Sequence, residues 1–276
     1  MKWQVQAAAL AAAVAFALPA AAQQPKPYEP HVGQAGKDVI WVPTPDEVVD
    51  RMLSMAQVKP NDIVYDLGAG NGKIAIAAAK KFGATATGIE YNPDMAKHAQ
   101  GNVVAAGVQN KARILQGDIF ATNFSEATVV TMYLLPGLNM KLRPTLLAMR
   151  PGTRVVSHSF TMEDWEADEI SSMDGRRAYF WVVPANVGGG WTLETGSEKN
   201  DIAFEQRFQK IEGSVGLGLT QGGLRNPRLS GFNISFAWVD NNGVLRNYNG
   251  RVINGKMEGS WRGDNGTEGR WVATKK

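Results

Sequence analysis

Between Val64 and Lys73 the chain reads Val-Tyr-Asp-Leu-Gly-Ala-Gly-Asn-Gly-Lys. Glycines at alternate positions behind a β-branched and aromatic run call for a sharp backbone reversal, one that leaves main-chain N–H groups open to a ligand. Ile63–Leu67 reads as a buried strand, and the alanine-rich stretch from Ile74 to Lys81 as the helix that follows. Such a strand–turn–helix unit needs a parallel neighbour, and the downstream pattern supplies several. Ala84–Glu90, Ala112–Gln116, Ala127–Tyr133 and Thr153–Ser159 read as further strands. Asn92-Pro93 opens a helix carrying Met95, Ala96, Ala99 and Val103 on one face, and Pro144–Met149 closes another before Pro151-Gly152. Upstream, Thr44-Pro45-Asp46-Glu47 has the pattern of a capping box with proline at the first helical position. Strands alternating with helices imply right-handed βαβ units, hence an α/β, Rossmann-like doubly wound sheet.

In open sheets of this kind, ligands bind at the carboxyl ends of the strands. Three carboxylates stand at such ends. Asp66 precedes the glycine turn and can receive a ligand ammonium. Glu90 ends the second strand, where a carboxylate can bind both hydroxyls of a ribose. Asp118 ends the third, able to accept from an adenine amino group while Ile119 packs the ring. Gly68, Gly70 and Gly72 complete the set, with an anion-favouring helix N-terminus behind Gly72. The G-x-G-x-G spacing differs from the G-x-G-x-x-G of dinucleotide enzymes, which argues against a nicotinamide-dependent oxidoreductase.

With these residues in view, the stretch from Trp41 to Ser159 resembles the class I S-adenosylmethionine-dependent methyltransferases. The resemblance is carried by Asp66–Gly72, Gly88-Ile89-Glu90, Gly117-Asp118-Ile119 and Leu147–Thr153. Trp41-Val42-Pro43-Thr44-Pro45 and Tyr133-Leu134-Leu135-Pro136 are similar to the small protein-lysine N-methyltransferases of the ATP-synthase c-subunit and adenine-nucleotide-translocase type. The resemblance implies S-adenosylmethionine as cofactor, bound by Thr44, Asp66, Gly68, Gly70, Gly72, Glu90, Asp118 and Ile119. It also implies methyl transfer to an amine, with a protein lysine as an expected acceptor. Tyr133 and Pro136 lie where that acceptor should enter, and Tyr133 can orient an amine through its hydroxyl or ring. His158 is either a proton acceptor or a structural histidine. In-line displacement needs positioning and exclusion of water more than acid/base groups, and no metal is expected.

The remaining sequence departs from that branch at both ends. Met1-Lys2, the apolar run from Ala7 to Leu18 and Ala20-Ala21-Ala22 have the arrangement of a secretory signal peptide. Cleavage after Ala22 is expected, giving a periplasmic or secreted protein with no membrane span after cleavage; an uncleaved anchor is the alternative. Gln23–Lys37, with three prolines, reads as a linker. Beyond about Thr195 glycine dominates, 17 of the 30 lying from Gly188 onward. Phe232, Ile234, Phe236 and Trp238 alternate with polar or small residues, Asn241-Asn242-Gly243 is a hairpin turn, and short strands follow to Ala273. A small antiparallel β domain over 195–276, a meander with an aromatic core face, is therefore expected. Tyr179–Val183 and Trp191–Glu194 read as edge strands of the first sheet. The net charge of +3 gives no ground for a nucleic-acid partner, and the absence of cysteine excludes disulfides and thiol nucleophiles. A binding module that keeps a nucleoside pocket without catalysis is the rival reading.

Overall fold

A computed structural model describes residues 28–218 and 220–276; the signal-peptide reading falls outside them. The first unit is a seven-stranded sheet: β1 (Ile63–Leu67), β2 (Thr85–Glu90), β3 (Ala112–Gln116), β4 (Val129–Met132), β5 (Arg154–His158), β6 (Glu169–Met173) and β7 (Arg176–Val182). Helices α1 (Asp46–Met55), α2 (Lys73–Phe82), α3 (Pro93–Ala105) and α4 (Pro136–Leu147) pack on it. The strand order is β3-β2-β1-β4-β5-β7-β6. β1 to β5 are mutually parallel, whereas β7 runs antiparallel to β5 and forms a hairpin with β6. The order reverses between β1 and β4, which opens a crevice there.

The sheet is buried on both faces. Val48, Met52, Ala75, Ala78 and Val103 pack one side, and Met132, Leu142, Leu146, Trp165 and Trp181 the other. Apolar β1 and β4, almost fully covered, are what a parallel central strand requires. The expected capping box is not used. α1 begins at Asp46 with Pro45 at its N-cap and no side-chain cap bond. The Thr44 hydroxyl is engaged elsewhere, as described below. The helix that Pro144–Met149 is expected to close ends at Leu147, with Pro144 inside it.

The second unit is a nine-stranded antiparallel sheet: β8 (Gly189–Thr195), β9 (Glu198–Arg207), β10 (Lys210–Leu217), β11 (Thr220–Gly223), β12 (Arg225–Ser230), β13 (Asn233–Val239), β14 (Leu245–Ile253), β15 (Lys256–Gly263) and β16 (Glu268–Lys275). Its order, β11-β10-β9-β8-β16-β15-β14-β13-β12, is two meanders joined where β16 pairs with β8. β10 lies against β12 and β11 against β13, so the two ends of the sheet close on each other and it is barrel-like. Its interior holds Trp191, Phe204, Ile234, Phe236, Trp238, Tyr248 and Trp271, so the aromatic alternation in β13 is a core face.

β8 corrects the domain boundary. Trp191–Glu194 pairs with β9 and β16 and not with the first sheet, so the units part between Val183 and Gly189 rather than at Thr195. Trp191 and Leu193 point into the aromatic core, a burial the first sheet does not offer. Two glycines make the junction: Ala185 N–H donates to Gly231 O, and a Cβ at Gly152 would meet the Phe232 ring at 2.8 Å.

Candidate active site

A cavity of ≈ 660 Å³ opens at the carboxyl ends of β1, β2 and β4. Eight of the ten residues assigned to the cofactor or the acceptor line it: Thr44, Asp66, Gly68, Gly70, Glu90, Asp118, Ile119 and Tyr133. Gly72 does not; it turns the chain into α2 with φ +81°. Pro136 does not either; it opens α4 and is exposed.

The turn itself requires glycine. Gly68 and Gly70 have φ of +78° and +53°. A Cβ on Gly70 would lie 2.5 Å from Trp41 Nε1. The backbone is thus exposed to the cavity on one side and pressed against an indole on the other.

Asp66 is 2% exposed, and one carboxylate oxygen accepts the Thr131 hydroxyl at 2.8 Å. Burial raises its pKa from 3.8 to about 7; the Thr131 bond opposes this, and the charge of Glu90 adds to it. Glu90 folds back on the turn, accepting N–H bonds from Gly70 and Asn92, each at 2.9 Å. Burial raises its pKa too, against those backbone bonds. Asp118 accepts from Phe120 N–H at 2.9 Å and from the Lys37 ammonium at 2.6 Å, and the lysine holds its carboxyl below the usual range.

Lys37 belongs to a segment read as a linker. In the structure Gln34–Val42 lies along the cavity as a strap. It is folded by an Ala35–Ile40 bridge and by Gly33 N–H to Trp41 O at 2.8 Å. Lys37 latches it to Asp118 and sits 4.7 Å over the Tyr91 ring. The unbroken apolar run Val39–Val42 is the signal that marks this segment as more than a tether.

At the other end the wall is aromatic. Tyr133 packs tilted against His158, ring centroids 4.0 Å apart, and stacks on Phe160 at 6.1 Å. Phe160 lines the cavity and was not foreseen, since it sits past the end of β5 with no motif around it. His158 stands behind Tyr133, 2% exposed, with Nδ1 hydrogen-bonded to Thr44 Oγ1 at 3.2 Å and Nε2 unpartnered. This bond takes the hydroxyl that sequence assigned to helix capping. Burial, then the charge of Arg176, lowers the imidazole pKa to about 4, so the ring stays neutral. A buried neutral histidine that does not line the cavity is a structural support for Tyr133 rather than a proton acceptor. Among the described residues no group of three His, Asp or Glu side chains is placed to hold a metal ion.

Along the strand order β3-β2-β1-β4 the cavity therefore passes Asp118, Glu90 and Asp66 in turn and ends at the apolar aromatic wall of Tyr133 and Phe160. This donor set fits a cationic nucleoside better than a pyrophosphate, whose charge Asp66 and Glu90 would repel. The fold and the crevice define a nucleoside-binding α/β enzyme of the methyltransferase class.

A family model of the ANTKMT methyltransferase domain matches residues 66–169. A protein-lysine N-methyltransferase from Saccharolobus islandicus is 45% identical over 162 residues, spanning 56% of this chain and 96% of that protein. The human lysine N-methyltransferase of the ATP-synthase c-subunit is 28% identical over 132 residues, 48% of this chain and 56% of its own length. Among solved structures, an RNA methyltransferase from Salinibacter ruber bound to S-adenosyl-L-homocysteine is 49% identical, with a TM-score of 0.52, and covers 53% of this chain and 96% of its own. The chain belongs to the protein-lysine N-methyltransferase family of S-adenosylmethionine-dependent enzymes. About half of it exhausts the Saccharolobus and Salinibacter proteins, so its other half is an addition to them.

Proposed function

We propose that this methyltransferase transfers a methyl group to the side-chain nitrogen of a lysine in a protein. The observation that carries the reading is the Tyr133–Phe160 wall, which lines the cavity just past the ends of β4 and β5. Aromatic faces attract an entering ammonium, and desolvation there favours the neutral amine that can act as nucleophile. The similarity to the Saccharolobus protein-lysine enzyme supports it.

S-adenosylmethionine supplies, when bound, an electrophilic methyl on a sulfonium sulfur. Asp66 would hold its cationic amine, Glu90 the ribose hydroxyls, and Asp118 with Ile119 the adenine, while the backbone of Gly68 and Gly70 admits it closely. Gly72 sets the turn into α2, and Thr44 supports the acceptor wall through His158. Pro136 serves by starting α4 directly behind Tyr133–Leu135, not by touching the acceptor. Tyr133 orients the amine, and the strap and the aromatic wall exclude water, which favours transfer to nitrogen over hydrolysis.

Incubating the full chain with methyl-labelled S-adenosylmethionine and protein or RNA acceptors tests this. Label recovered as methyl-lysine after acid hydrolysis is the expected result; label found in RNA alone would overturn the lysine reading. Glu90→Ala should weaken cofactor binding by about 10- to 100-fold, as loss of a charged hydrogen-bond partner does. Isothermal titration calorimetry with S-adenosyl-L-homocysteine gives the number.

We further propose, on the residues from Met1 to Gln24, that the chain is exported; the mature N-terminus in a fractionated host decides it.

A further inference from the structure

Among the described residues the second unit contributes none to the cavity, yet one of its hairpins grips the segment that does. The β9–β10 turn consists of Arg207, Phe208, Gln209 and Lys210, and its four side chains all reach the first unit. Phe208 lies stacked against Trp165, centroids 6.1 Å apart, with the Arg143 guanidinium 5.4 Å over its ring. Arg207 pairs with Asp164 at 3.2 Å and Lys210 with Glu166 at 2.5 Å. Gln209 donates to Glu166 O at 2.7 Å and to Asp168 at 3.1 Å.

What these contacts hold is the acceptor wall. Residues 160–168 begin at Phe160 and contain fully buried Trp165. Arg143 sits on α4 one turn after Asn139, and the Asn139 amide donates to Phe160 O at 3.3 Å and Thr161 O at 3.2 Å. Arg143 itself donates to Met162 O at 3.1 Å and pairs with Asp164. α4 and the segment after β5, which carries Phe160 of the wall, therefore meet at one phenylalanine. Exposed ion pairs hold weakly, which leaves the Phe208 ring as the anchor. Its backbone has φ +55°, a conformation a bulky residue takes only where its surroundings impose it.

We propose that the β9–β10 hairpin sets the acceptor wall of the methyl-transfer cavity, with Phe208 as a positioning residue acting through Trp165 and Phe160. The inference rests on the reading that the acceptor enters between Tyr133 and Phe160. It gives the second unit a task in catalysis.

The test is Phe208→Ala in the full chain, with Phe208→Tyr as the ring-preserving variant. Hydrogen exchange of 160–168 should rise about tenfold as local opening becomes easier, while the Gly68–Gly72 turn and the affinity for S-adenosyl-L-homocysteine stay unchanged. KM for the acceptor should rise about tenfold with kcat altered far less, since the wall holds the acceptor alike in the ground and transition states. Phe208→Tyr should restore both. Unchanged exchange overturns the proposal without any acceptor being known. Raised exchange with an unchanged KM, for whichever acceptor the wild type methylates, overturns it also, as does a matching loss of cofactor affinity. Label in RNA alone would remove the lysine reading but leave these measurements decisive for the hairpin.

Discussion

Asp66→Asn is expected to make the protein more stable and to disable it. The carboxyl is buried, and its pKa stands at about 7 against 3.8 in an ordinary setting. An acid with a raised folded-state pKa binds more protons folded than unfolded between those two values, so stability falls as pH rises from about 4 to 7. Above pH 7 the cost of keeping the charge buried is complete, on the order of 4 kcal/mol. Asparagine carries no such cost and still accepts from the Thr131 hydroxyl through its carbonyl. Urea denaturation at pH 8 should therefore show the variant more stable by up to that amount, and at pH 4 the gain should vanish. Cofactor affinity should drop by about 10- to 100-fold, because a neutral amide cannot pair with a ligand ammonium. The wild type should bind more tightly at pH 8 than at pH 6, as the carboxylate becomes available. A variant that binds as well as the wild type would show that Asp66 faces no cation. One that is not stabilised at pH 8 would show that Asp66 is already charged at little cost.

The same residue shows why the binding end of the site could be read from sequence. Asp66, Gly68, Glu90, Asp118 and Ile119 each sit within a few positions of a strand end, and strand ends follow from apolar runs bounded by glycine or polar residues. β1 and β3 occupy the spans that their sequences predict, because both are short and bounded in that way. The acceptor end depends on contacts distant in sequence. Thr44 was legible as a helix cap and, through the resemblance, as a cofactor contact, but not as the partner of His158, 114 positions away. Phe160 and the strap residue Lys37 follow no local pattern that marks a cavity wall. β6, Glu-Ile-Ser-Ser-Met, is half exposed at the sheet edge and too polar to stand out as a strand. Trp191–Glu194 was legible as a strand but not as a member of one sheet rather than the other. That choice is made by pairing with β16, some 80 residues later.

Gly259→Ala should break the barrel while leaving the cofactor pocket in place. Gly250 and Gly259 face each other across β14 and β15. Here the two backbones approach more closely than side chains allow: a Cβ on Gly259 would lie 1.9 Å from Asn249 O and 2.5 Å from Gly250 Cα. The neighbouring space is already taken by Trp271. A Cβ on Gly250 would meet its ring at 2.5 Å, and its indole N–H is shared between Asn249 O and Ser260 O at 3.2 and 3.1 Å. That indole also packs edge-on against Phe236 and Tyr248 in the aromatic core. An added methyl must push the strands apart and shift Trp271, so the loss should reach about 3 kcal/mol, the upper end for overpacking. The first sheet has its own two apolar clusters and needs none of this core. Thermal unfolding of the variant should split into two transitions, the lower from the barrel. S-adenosyl-L-homocysteine should raise only the upper, because a ligand stabilises just the unit that binds it. Methyl transfer should weaken at temperatures between the two, as the melting barrel withdraws Phe208 from Trp165. A single transition, displaced as a whole and raised as a whole by the ligand, would mean that the Gly152–Phe232 junction and the Phe208 contact fuse the two sheets into one cooperative unit.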